Sequence, residues 1–72
     1  MRVNYEIEIR RDDGNVTTIP MHSTTYQAQK AIMALSYALN DSGVDHLTLW
    51  LVTTMGRVQQ QRIGYTKVGK AK

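Results

Sequence analysis

Leu49-Trp50-Leu51-Val52 is the stretch on which the fold turns. It is apolar without a break, and a strand sends successive side chains to opposite sides of a sheet. Leu49 and Leu51 therefore face one way, Trp50 and Val52 the other. The rest of the chain offers one helical stretch to cover a sheet, and one helix covers one face. The second face then presents Trp50 and Val52 to water or to a partner outside this chain.

Around this stretch, His46 to Thr53 reads as a strand and Val58 to about Val68 as its successor, joined by Thr54-Met55-Gly56. A three-residue loop with Gly56 in the left-handed position sets Val52 against Val58, Trp50 against Gln60 and Thr48 against Arg62 on one side. Leu47 then meets Ile63, and Asp45 meets Tyr65, on the other side. Earlier in the chain, Val3, Tyr5, Ile7 and Ile9 alternate with Asn4, Glu6, Glu8 and Arg10, the pattern of a half-buried strand. Asp12-Asp13-Gly14 supplies a hairpin loop, and its register pairs Ile9 with Thr17, Ile7 with Ile19 and Tyr5 with Met21. Pro20 has no N–H to donate to a ladder, so the strand that holds it belongs at a sheet edge.

Between the hairpins, Thr24 and Gln27 have the spacing of a capping box. Ala28, Ala31, Ile32, Leu35, Ala38 and Leu39 follow as a stripe at helical period, and Asn40-Asp41-Ser42-Gly43 ends it. The order is strand-strand-helix-strand-strand. Antiparallel pairing of the first and third strands, the most apolar two, gives an α+β fold: a four-stranded antiparallel sheet of order 2-1-3-4 with one helix on one face. The helix lies in a right-handed crossover between parallel strands. The expected core is Val3, Tyr5, Ile7, Ile9, Ile19, Met21, Ala28, Ile32, Leu35, Leu39, Leu47, Leu49, Leu51 and Ile63. Residues 1–68 form the single domain, and 69–72 a basic tail.

Seventy-two residues leave no room for a second core. With no cysteine, there is no disulfide and no thiolate for metal or nucleophilic chemistry. No apolar run approaches the roughly 20 residues of a membrane span, and Met1 to Arg11 lacks the apolar core of a signal peptide. A soluble cytoplasmic protein is expected. Residues 1–45 carry a net charge of −2, whereas residues 46–72 carry +5 with no acidic residue. Such a half attracts acidic partners over a Debye length, roughly 8 Å at physiological salt.

Catalytic patterns are missing. His22 and His46 fall on separate strands without a local carboxylate at ligand spacing, so no metal site is expected. Glu6 and Glu8 share a strand face about 7 Å apart, but they read as solvated charges paired with Arg10 or Arg62, not as an acid and base. There is no Gly-x-Ser-x-Gly and no phosphate-cradling glycine loop. No catalytic residue, metal or cofactor is assigned.

Two apolar surfaces exceed what the core needs. One is Trp50, Val52 and Val58 on the sheet. The other is Tyr26, Met33 and Tyr37, which lie within about 20° of the helix pole opposite Leu35. Tyr and Met on an exposed helix are the residues that interfaces enrich. These six form the candidate partner-binding set for a larger protein, a protein complex or a second copy of this chain. The alternative is nucleic-acid binding through Arg10, His46, Trp50, Arg62, Lys67, Lys70 and Lys72, with Trp50 stacking bases and the cations meeting phosphates.

Thr18-Ile19-Pro20-Met21 leading into Thr24-Thr25-Tyr26-Gln27-Ala28 resembles a layout of small phage-encoded proteins. In these a hairpin, a short polar cap and an Ala-rich helix precede the next strand. Phage inhibitors of host RNA polymerase and some anti-CRISPR proteins are similar in size and element order. The resemblance covers roughly residues 3–52 and transfers no functional residue. It implies a non-catalytic binder that blocks or redirects a larger host machine, working in the host cytoplasm.

Overall fold

The computed structural model describes residues 1–40 and 42–65. It contains β1 (Val3–Arg11), β2 (Val16–Ser23), α1 (Thr25–Ala38), β3 (Val44–Thr53) and β4 (Gly56–Gly64). The strands form one sheet in the order β2-β1-β3-β4, each antiparallel to its neighbours. This is the expected α+β arrangement. The expected extension of the last strand to Val68, and the tail at 69–72, lie outside the described residues.

The first hairpin takes the register that its alternation demands, with Ile9 opposite Thr17, Ile7 opposite Ile19 and Tyr5 opposite Met21. Arg11 N–H donates to the Asn15 carbonyl at 2.8 Å, and Gly14 turns the chain with φ +91°. Only glycine adopts that conformation readily. Proline-bearing β2 is an edge strand. Between β1 and β3 the register shifts at Arg10/Arg11, which brings Val44 opposite Arg11 and into the core.

The second hairpin departs from expectation. Thr53 pairs with Gly56, so the loop is only Thr54-Met55. The Thr53 hydroxyl holds this tighter turn, accepting from Met55 N–H at 3.1 Å and donating to the Gly56 carbonyl at 2.8 Å. Val58 therefore faces Leu51 and not Val52, and Trp50 faces Gln59 and not Gln60. A bulge then restores the anticipated pairs Thr48–Arg62 and Leu47–Ile63, with Gln60 the extra residue. Because one residue of slip moves a side chain to the other face, Val58 joins the helix side and Arg57 takes its place on the open side.

Helix α1 starts at the predicted capping box: Gln27 N–H donates to Thr24 Oγ1 at 3.1 Å, and Thr24 N–H to Gln27 Oε1 at 3.3 Å. Two tyrosine hydroxyls pin it to the sheet. Tyr5 OH meets Thr25 Oγ1 at 2.7 Å in the first turn, and Tyr65 OH donates to the Ser36 carbonyl at 2.7 Å near the last. The helix thus begins beside β1 and β2 and finishes beside the end of β4, crossing the sheet obliquely. Tyr5, Ile7, Ile9, Ala28, Ile32, Val44, Leu47 and Leu49 are buried beneath it, with Val3, Met21, Leu35, Leu39, Leu51 and Ile63 packed around them. Two corners of the helix-side face stay uncovered. Ile19, expected in the core, is exposed at one, and Val58 at the other.

Candidate functional site

The open face of the sheet organises itself around Glu8. This carboxylate is 7% exposed although no second layer covers it. Trp50 Nε1 donates to Glu8 Oε1 at 2.9 Å, and Arg10 Nη2 donates to Oε2 at 3.2 Å. Arg57 Nη1 lies 3.8 Å from Glu8 Oε1 and 3.4 Å from Glu6 Oε1. Its guanidinium stacks on the indole, 4.4 Å from the ring centre. Long side chains from β1, β3 and β4 thus fold over the acid and exclude water. Charge-assisted bonds of this kind offset the cost of burying a carboxylate. Glu8 is accordingly not the solvated charge expected from alternation, and its basic neighbours are Arg10 and Arg57, not Arg62.

This arrangement changes what Trp50 offers. Its N–H is committed to Glu8 and one ring face to Arg57. Val52 remains on the same side, half-buried, opposite Arg57. A shallow recess of about 380 Å³ lies beside it, lined by Asn4, Glu6, Pro20, His22 and Val52. There His22 Nδ1 and Asn4 Oδ1 are 2.9 Å apart.

At the other end of the open face, Arg10 sits opposite His46, and Arg62 opposite Thr48. Arg62 Nη2 is 3.4 Å from His46 Nδ1, which lies 2.8 Å from Asp45 Oδ2. The structure brings Arg10, His46, Trp50 and Arg62 to one face. Lys67, Lys70 and Lys72 lie outside the described residues. Among the described residues, no group of three or more His, Cys, Asp or Glu side chains gathers as metal ligands do.

The helix side has a different character. Tyr26 is 67% exposed, Tyr37 76% and Met33 40%. Tyr26 and Tyr37 point outward, and Lys30 Nζ sits 5.2 Å above the Tyr26 ring. Met33 leans toward the sheet edge, where Gln61 Nε2 approaches its sulfur at 3.8 Å. Val58, 51% exposed, shares this side of β4 with Gln61. The anticipated sheet patch of Trp50, Val52 and Val58 is therefore split between two faces. Arg57 is the open-face residue that pattern reading passed over. The signal for it was the Thr53 hydroxyl, which favours a shorter turn and a one-residue shift.

Compared with protein-family models, with curated proteins and with solved structures, the chain matches none of them. The fold defines an open-faced α+β sheet. Among the described residues, no helix is long and apolar enough to cross a membrane.

Proposed function

We propose that this chain is a small non-catalytic protein-binding module that acts on a larger protein or protein complex through the helix side of its sheet. The observation that carries this reading is the exposure of Tyr26, Met33 and Tyr37 along one side of α1, with Val58 exposed on the adjoining strand. Aromatic residues and methionine are enriched where proteins meet, and a few such anchors carry most of the binding energy. The open face supports the reading by contrast. Its large aromatic residue already spends its N–H and one ring face on Glu8 and Arg57. The resemblance of its sequence layout to small phage-encoded inhibitors supports a role as inhibitor or modulator of a host machine in the host cytoplasm.

Nucleic-acid binding is the second reading, and it draws on Arg10, His46 and Arg62 converging on three adjacent strands. It ranks lower because a base stacking on Trp50 would contend with Arg57, and because Arg10 already spends its guanidinium on Glu8. Capture from host lysate, with and without nuclease, separates the two readings. Protein binding predicts a captured protein that survives nuclease and is lost with the Tyr26→Ala/Tyr37→Ala variant. Capture abolished by nuclease, or unaffected by that variant, would overturn the reading.

A further inference from the structure

Four exposed residues of α1 recur at a 4-3-4 spacing: Tyr26, Lys30, Met33 and Tyr37, with Met33 at the margin nearest β4. This is the seam spacing by which one helix packs along another. Tyr26, Met33 and Tyr37 supply its apolar part, and Lys30 holds its ammonium over the Tyr26 ring. Lys30 is also the single charged residue of α1. Ala34 and Ala38, both exposed, adjoin the seam and leave room for a close approach.

The charge decides between occupants. A second copy packing antiparallel along this seam would set each Lys30 beside Met33 of the other helix, within one turn of the other Lys30. Neither helix has a carboxylate to offset the two ammonium groups. Like charges brought together at an interface select against that pairing. A foreign helix with an acidic residue across from Lys30 removes the conflict and adds an attraction. The geometry points to this seam as the docking surface for an amphipathic helix of a partner protein, its apolar stripe meeting Tyr26, Met33 and Tyr37 and an Asp or Glu facing Lys30. The inference rests on the protein-binding reading above and names the partner's chemistry.

A displayed library of helical peptides tests it, each with an apolar seam at 4-3 spacing and randomised flanking positions. The baits are the intact chain, Lys30→Glu and Tyr26→Ala/Tyr37→Ala, each checked for folding by circular dichroism. The intact chain should enrich Asp and Glu over Lys and Arg at the central flanking positions by about threefold. The Lys30→Glu bait should reverse that preference. Peptides that ignore the Lys30 charge but are lost with the tyrosine variant would overturn the acidic helix while leaving the face in use. Peptides retained by the tyrosine variant would overturn the protein-binding reading through this face as well. A selection with no enriched peptide, or a dimer in sedimentation that Tyr37→Ala abolishes, would also overturn the helical partner.

Discussion

Trp50 donates its indole N–H to Glu8 across 2.9 Å, joining residues 42 positions apart in sequence. The bond turns an exposed sheet face into a partly closed one, because the indole and Arg57 together shelter the carboxylate. Replacing Trp50 with Phe keeps an aromatic ring, though a smaller one, and removes the donor, leaving Glu8 with one bond fewer. The expected loss is about 1–2 kcal/mol of folding stability. Urea denaturation measures it, and a Trp50→Phe variant as stable as the parent would show that the bond contributes nothing.

Arg57 should act through the same ring. Double-mutant analysis of Arg57→Ala and Trp50→Leu should give a coupling of about 0.5–1 kcal/mol, the range for a cation above an aromatic ring at a solvent-accessible site. Additive losses would mean that the stacking has no energetic weight.

The backbone plan of this chain is legible in its sequence because alternation, capping and turn residues agree. Ile7 opposite Ile19 and the Thr24–Gln27 box follow from spacing alone. The bulge was hidden for a physical reason. Gln59, Gln60 and Gln61 have the same side chain, so no apolar alternation marks which of them is extra. Val58 and Arg57 changed faces with that single residue, and the composition of the candidate site changed with them. Alternation does not reveal the burial of Glu8, which depends on Trp50, Arg10 and Arg57 arriving from three strands. Ile19 is exposed on edge strand β2, which α1 leaves uncovered at that point as it runs from its Tyr5 contact to its Tyr65 contact.

Those two hydroxyls make a separable prediction. Tyr65→Phe removes the bond to the Ser36 carbonyl and should cost about 1 kcal/mol. The loss should be local, with faster amide hydrogen exchange in the last turn of α1 and little change in its first turn. Uniformly faster exchange along the helix would contradict a pin at that end.

The two sides of β4's neighbourhood should respond unequally to core-type substitutions. Leu49, buried beneath the helix, should cost about 2–5 kcal/mol as Leu49→Ala. Val58→Thr, at the uncovered corner, should stay within about 0.5 kcal/mol of the parent. A large loss at Val58 would mean that α1 covers that corner.

Site-specific photo-crosslinking distinguishes a partner on the helix side from one on the open sheet face. A photoreactive phenylalanine analogue is placed at position 37 on the outer side of α1, or at position 18 on the open sheet face, and the protein is irradiated in cell lysate. Docking through α1 gives a protein adduct from position 37 and none from position 18. An adduct from position 18 with none from position 37 would contradict it.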